Sequence, residues 1–488
     1  MINRLGRYFL VITACLIANV AIAQTQNGQD AFSEVGLQAL HGQAEDALIN
    51  GDPHLTITIT DRILAVQPDS FNALFLRALA LSDLDEDGQA ARVARQAYNA
   101  ATNEPARLEA SKLAGRAHFE AENYSRAEFW LRRATNHLQD LEDAQQVATL
   151  FQRTRRANPL TTQYDFSLAP TDNVNGGSDE NEICLENGDG SCACFDINNS
   201  GECLDIFGVL FGLNEADLPL SGVVYTGSAR LSYRLSMDRN QITTVSALFF
   251  GESVILSQDA KDLLASSDDA EVRAVEASDF SSFLSEFSFG QRQSTLSPLG
   301  PTYFSLHYGN FQQASTPLIR YQDLKFGQQI LLDWGDAISL DFKVRAQQGL
   351  VSGIGDSKIY DTSGTYNAKF ANGDTASLTL SRSDTVTEAD SGSIEYMGQL
   401  AYAFDTSFLN ARWSANAQIG TRSFGFLNLI DEDREDVFAS LGLVATLEDY
   451  SYFGFSPNIS FQATQTDSNF DLVDTTSIQL RFGIRSNL

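Results

Sequence analysis

After Pro159 this 488-residue chain alternates apolar and polar side chains almost residue by residue, and that pattern leaves few folds open. Val223, Tyr225, Gly227, Ala229, Leu231, Tyr233 and Leu235 are interleaved with Val224, Thr226, Ser228, Arg230, Ser232 and Arg234. A period of two is the signature of a strand with one apolar and one wet face. The same alternation runs through Ile338–Arg345, through 409–419 around Trp413, through 453–461 and through the terminal Ile478, Leu480, Phe482 and Ile484. A soluble sandwich would also alternate, so strand length and loop asymmetry must decide. A membrane strand needs about 9 to 11 residues, and outer-membrane barrels pair short periplasmic turns with long external loops.

Both criteria point to a barrel. About fourteen strands can be counted, an allowed even number. Short connections fall at 237–240, 334–337, 371–374, 404–407 and 447–449, and long ones at 171–221, 252–277, 347–357, 421–436 and 464–475. One connection, 314–317, is too short for this scheme, which puts the count in question by two strands. Leu488 shares the apolar register of Phe482 and Ile484, where most such barrels end in an aromatic. Beyond the first thirty residues no apolar run approaches the roughly 20 residues of a membrane helix, so any span is built from strands.

Phe32 to Ala157 has a different grammar, rich in Ala and Leu with helical periodicity. Ala127 and Ala134 lie seven apart after a turn, as do Ala90 and Ala97. Ala78 and Gly115 each stand twelve residues before the first alanine of such a pair, and Pro68 closes an earlier unit. Small residues at this spacing let paired helices approach closely, the pattern of a tetratricopeptide array of about three units. His118 falls where that repeat places a packing aromatic and reads as core. Thr56-Ile-Thr-Ile-Thr60 is an unusual helix interior. The fold class expected is therefore multidomain: an N-terminal α-helical, tetratricopeptide-like solenoid over 24–157, then a transmembrane antiparallel β-barrel over 158–488.

The N-terminus carries Arg4 and Arg7, an apolar stretch from Tyr8 to Ile22, and an Ala21-Ile22-Ala23 cleavage signal, which reads as a secretory signal peptide over 1–23. Four cysteines remain after its removal: Cys184, Cys192, Cys194 and Cys203, all in an acidic insertion at 179–215. In an exported chain an even, clustered set reads as local disulfides. Pairing 184 with 192 and 194 with 203, or 184 with 194 and 192 with 203, avoids the poor geometry of a bridge between Cys192 and Cys194. The formal net charge of -30 excludes polyanion binding as the main task, so no nucleic-acid partner is expected.

Candidate chemistry is sparse. Asp196-Ile-Asn198-Asn-Ser200-Gly201 opens like a calcium loop, but Phe207 stands where the bidentate acid belongs, and no metal or other cofactor is expected. Acidic residues of the external loops, among them Asp259, Asp262, Asp268, Asp269 and Glu271, read as solvated loop charge. His307, beside Ser305 on a wet face, reads as lumen lining, and no enzyme activity is expected. Arg230, Arg234, Lys343, Arg345, Arg412, Arg481 and Arg485 point inward on the strand register, with Asp341 among them. They form either a cationic wall for anionic cargo or a salt-bridge network that stiffens the barrel.

A signal peptide, a short tetratricopeptide domain and a fourteen-stranded barrel together resemble the Slam family, the surface lipoprotein assembly modulators. The segment Phe166-Ser-Leu-Ala-Pro170-Thr-Asp172-Asn173-Val-Asn175-Gly176-Gly177-Ser178, at the end of the first strand, is similar to that family, and the cysteine-bearing insertion is not part of its pattern. The resemblance implies delivery of lipoproteins to the outer face of the outer membrane, with the helical domain in the periplasm. The implied partners are a client surface lipoprotein, a periplasmic chaperone and outer-membrane lipid. Two other classes fit the architecture: an exopolysaccharide exporter combining repeats with a barrel, and a passive porin or receptor.

Overall fold

The computed structural model describes residues 30–177, 185–186, 192–193, 215–216, 218–238, 240–294, 297–387, 392–425, 433–452, 454–469 and 474–486. The signal segment, Cys184, Cys194, Cys203, the calcium-like stretch 196–201 and Leu488 lie outside these residues, as does most of 179–215. Cys192 belongs to a two-residue ladder in which Leu185–Glu186 pairs with Cys192–Ala193. The chain divides into two compact units between Asn158 and Pro159.

Seven helices make the first unit among the described residues: α1 Asp30–Ile49, α2 Pro53–Val66, α3 Phe71–Asp83, α4 Asp87–Ala100, α5 Glu104–Glu120, α6 Tyr124–Thr135 and α7 Leu141–Ala157. Their starts are set by side-chain oxygens that satisfy otherwise orphaned backbone donors. Asp52 accepts from the Leu55 amide, Asn103 from Ala106 and Asp140 from Asp143. Each helix packs on the next, and α1 also touches α3, α3 touches α5, and α5 touches α7. That stacking of alternate helices is how a helix-pair solenoid buries its faces. Ala78, Ala90, Ala97, Ala127 and Ala134 are all fully buried at the contacts. Gly115 has no room for a side chain, since a Cβ there would lie 2.8 Å from Leu131 Cγ. Thr56 and Thr60 sit inside α2 because their buried hydroxyls donate back to the carbonyls of Asp52 at 3.0 Å and Thr56 at 2.9 Å.

The second unit is a closed antiparallel barrel in which every strand pairs with its chain neighbours. Its fourteen strands are β1 Leu160–Thr171, β2 Gly222–Met237, β3 Gln241–Leu256, β4 Ser282–Gln293, β5 Thr302–Gln313, β6 Thr316–Leu331, β7 Ala337–Gly349, β8 Ser357–Lys369, β9 Thr375–Thr387, β10 Ser393–Ala403, β11 Arg412–Phe424, β12 Glu435–Thr446, β13 Phe455–Ser468 and β14 Thr475–Ser486. The outward face carries exposed large apolar residues along the strands, such as Leu340 and Phe342 on β7 and Leu480 and Phe482 on β14. Inward positions are mostly polar or charged, with glycines, tyrosines and a few apolar residues such as Leu248 and Phe250 among them. An apolar exterior around a polar interior, closed so that no strand edge is left unpaired, is a membrane-spanning barrel.

The doubtful connection at 314–317 is a real two-residue turn. Ala314 and Ser315 have φ of 46° and 65°, the left-handed pair that matches the twist of a tight hairpin, so no strand is lost. Two expectations change. Leu409 and Asn410 are not strand: φ values of 54° and 57° make them a turn, and β11 begins at Arg412. The acidic segment 252–277 is not merely solvated loop. Strand β3 runs on to Leu256, and helices α8 Gln258–Ser266 and α9 Ala270–Arg273 bury Ala260, Leu264 and Val272 against Leu220, Val224, Val254 and Leu256. Its acids point to water while its apolar residues cover that part of the rim.

Candidate functional site: the lumen and the seam that closes it

Alternation carries one row of each strand into the lumen, and β4 to β8 turn theirs into a connected polar wall. Arg345 on β7 grips Asp323 on β6 with two hydrogen bonds, of 2.7 and 2.8 Å, and its guanidinium lies 3.8 Å from the centre of the Tyr321 ring. Lys343 reaches Asp361 on β8 at 2.6 Å, and Lys325 reaches Asp341 on β7 at 3.0 Å. Glycines make longer reaches possible. Tyr321 on β6 lies across Gly309 on β5 to donate to Glu286 on β4 at 2.7 Å; a Cβ at Gly309 would sit 2.1 Å from the ring. Tyr303 on β5 crosses Gly327 on β6 in the same way and donates to Asp341 on β7 at 2.7 Å. An aromatic laid over a facing glycine covers bare backbone and fixes register.

Glu286 has a second partner. Its Oε1 lies 2.9 Å from His307 Nδ1, and His307 Nε2 lies 2.9 Å from Ser305 Oγ. Register explains the grouping: Ser305 and His307 are two apart on β5 and share a face, while Glu286 on β4 is the Cα partner of the adjacent inward residue Gly309.

On the opposite wall β1 meets β14 and closes the barrel. Strand β1 pairs with β2 along all twelve of its residues, from Leu160 with Tyr233 to Thr171 with Gly222. With β14 it pairs, among the described residues, at Asp165–Arg485, Phe166–Ile484, Ser167–Gly483 and Leu168–Phe482. Towards the end where β1 begins, the Tyr164 amide also donates to Ser486 Oγ at 2.7 Å. An ion pair of 2.6 Å joins Asp165 to Arg485 across the seam on the lumen side. Both faces of this seam are hollow. Outside, a groove of about 770 Å³ runs from Phe482 and Ile484 on β14 past Phe166 and Leu168 and over Gly227 and Gly251 to Phe283 on β4. Inside, a cavity of about 350 Å³ is lined by Asp165, Arg230, Asn458, Arg481 and Arg485. Among the described residues the buried Asn458 Nδ2 has no hydrogen-bond partner.

The inward basic residues thus divide between the salt-bridge network and the seam. Lys343 and Arg345 are spent on Asp361 and Asp323 within the stiff wall, and Arg412 pairs with Glu448 at 3.1 Å. Arg481 donates to Gln479, Arg485 faces Asp165, and Arg230 lines the seam cavity with them. Arg234 belongs to the same inward row, nearer the end where β1 begins. The segment after β1 is a clamp. Asn173 exchanges hydrogen bonds with Gly177, Gly176 takes a φ of 66°, and Asn175 binds the carbonyls of Ala216 and Leu218 and the amide of Leu220. Asp172 lies in the bend that starts it. With three backbone groups already on its amide, Asn175 anchors the base of the insertion. Residues that sequence reasoning passed over are Asp165, Glu286, Tyr303, Tyr321 and Asp323. The available signal was wet-face tyrosines set against wet-face glycines on neighbouring strands.

In the helical unit, burial lowers the His118 pKa below its ordinary value, with Arg126 and Arg95 adding to the effect, and His118 Nδ1 is buried without a partner among the described residues. The residue as a whole is half-buried, at the edge of the helical core and not within it.

No family model matches the chain, and no curated protein does. Among solved structures, the chain is similar to an outer membrane channel from Pseudomonas putida F1, at 10% identity over 67% of this chain and 96% of that one, with a TM-score of 0.32. A BenF-like porin from Pseudomonas fluorescens Pf-5 is 8% identical over 67% and 99%, with a TM-score of 0.33. The first TPR domain of human RPAP3 is 15% identical over 25% of this chain and 94% of that one, with a TM-score of 0.22.

Proposed function

We propose that this protein delivers lipoproteins to the bacterial cell surface, its barrel in the outer membrane and its helical repeats gathering client or chaperone in the periplasm. The observation that carries this reading is the seam, with four ladder pairs among the described residues, a polar-lined cavity inside it and an apolar groove beginning at its outer face. A lipoprotein has two parts with opposite solvent needs. Its polypeptide requires a hydrated path, which the polar lumen offers, while its acyl chains gain about 0.8 kcal/mol for each CH₂ kept out of water. A barrel that parts between β1 and β14 lets the chain pass through water and the acyl groups through lipid. The repeats supply what a passive pore has no use for, an extended binding surface. With no nucleotide motif in the sequence, folding or capture of the client outside biases the movement.

Impermeant biotin labelling of surface lipoproteins, read by mass spectrometry in cells with and without the gene, tests this. Loss of one or a few lipoproteins from the surface, with their total amounts unchanged, is the expected result. A Phe166→Cys/Ile484→Cys variant, whose Cα atoms are partners across the seam, should deliver client only after reduction. An unchanged lipoprotein surface in the deletion, or a large steady conductance in planar bilayers, would replace this reading with a porin.

A further inference from the structure

Ser305, His307 and Glu286 stand in the lumen as a nucleophile, a base and a group that orients the base. Oγ to Nε2 and Nδ1 to Oε1 are both 2.9 Å, within the reach that proton transfer needs. A carboxylate only accepts, so Nδ1 carries the proton facing Glu286, and Nε2 is left as the acceptor for the serine hydroxyl. Glu286 is itself fixed from behind by Tyr321, which is buried and stacked under Arg345. On either side of Ser305 the neighbouring strands place Gly290 and Lys325, whose ammonium is held by Asp341. Neither His307 nor Glu286 is sealed off, with side chains 25% and 20% exposed.

We propose that this cluster is a hydrolytic site for water-soluble carboxylic esters, a role separate from transport. Ser305 Oγ bonds to the ester carbonyl carbon as its proton passes to His307 Nε2, and the carbonyl π pair moves onto oxygen, opposite Lys325. On collapse the bond to the alcohol breaks, and His307 returns the proton to the departing oxygen. Lumen water then attacks the acyl-serine with His307 again as base, releasing the carboxylic acid and restoring the serine. Glu286 stabilises the imidazolium in both halves. The site faces the wet lumen and not the apolar exterior, so short-chain esters, not membrane lipids, are its substrate class.

Purified full-length protein in detergent is treated with a fluorophosphonate probe and, separately, with p-nitrophenyl acetate. The expected result is covalent labelling mapped to Ser305, abolished in Ser305→Ala and His307→Gln, with ester turnover reduced about 100-fold or more. Ser383→Ala, a lumen-facing serine on β9 away from the cluster, should label and turn over as the parent does. Heat-modifiable gel migration confirms that each variant is folded. Folded parent protein that takes no label at Ser305, or turnover unchanged by Ser305→Ala, would overturn the proposal and leave the cluster as a structural link between strands.

Discussion

If the four pairs found among the described residues are the whole ladder between β1 and β14, that seam opens far more often than any other strand pair, and hydrogen exchange measures this directly. An antiparallel ladder averages one backbone bond per residue pair. At a net 0.5 to 1.5 kcal/mol for each bond, four pairs resist opening by about 2 to 6 kcal/mol, whereas the thirteen pairs of β8 with β9 resist by about 7 to 20. Every 1.4 kcal/mol is tenfold, so the seam is open in roughly one molecule in thirty to one in twenty thousand. Exchange read by mass spectrometry on protein in lipid nanodiscs should find the amides of Phe166, Leu168, Phe482 and Ile484, which point across the seam, exchanging at least a hundredfold faster than those of 359–365. Arg485→Ala removes the ion pair to Asp165. Arg485 is half exposed, so solvent screening limits its contribution to about 1 kcal/mol, and seam exchange should rise by no more than about fivefold. Seam amides as protected as 359–365, in the parent and in Arg485→Ala alike, would refute the idea of a weak closure.

Gly309→Ala drives a methyl into the Tyr321 ring and breaks its bond to the Glu286 carboxylate, a loss of about 1.5 to 3 kcal/mol, which should lower the temperature of heat-modifiable migration. Leu131→Ala, at a fully buried site, should destabilise residues 24–158 by about 2 to 5 kcal/mol in urea followed by far-UV circular dichroism. Gly115→Ala should cost less in that background than in the parent, because its methyl enters the space Leu131 vacates. Burial lowers the His118 pKa, and that of His41, below the ordinary value of 6.5. The unfolded chain therefore binds protons more readily there, so stability of the helical unit is full above that value and falls as pH drops through it. His118→Phe should flatten part of this slope.

Much of the architecture was legible because burial imposes a period. Alternation from Val223 to Leu235 needs a strand with two solvents, and Ala90, Ala97, Ala127 and Ala134 need helices that touch closely. The tight turn at Ala314 and Ser315 was less legible, since neither residue is one that favours positive φ, and the surrounding strands impose it. The site was only partly legible. Parity alone shows that His307 and Ser305 share a wet face. That Glu286 completes the cluster depends on register between β4 and β5, to which no local pattern in either strand points. Apolar residues in the segment between β3 and β4 were masked by its acids, which hid the cap that Leu264 and Val272 build.

The two walls of the lumen differ in a way that joins the transport and hydrolytic readings. Glu286 with Tyr321, Tyr303 with Asp341, Arg345 with Asp323 and Lys343 with Asp361 tie each strand from β4 to β8 to another one or two places away. Widening the barrel there would break these bonds as well as full-length ladders, leaving carboxylates and tyrosines without partners in the wall. Between β1 and β14 it costs, among the described residues, four ladder pairs, the Tyr164–Ser486 hydrogen bond and one half-exposed ion pair. Any large opening therefore falls at the seam, and the wall bearing Ser305 keeps its geometry while it happens. A catalytic group must hold its position to within about 0.5 Å. A lumen built this way can admit a large cargo through one side without disturbing the chemistry on the other.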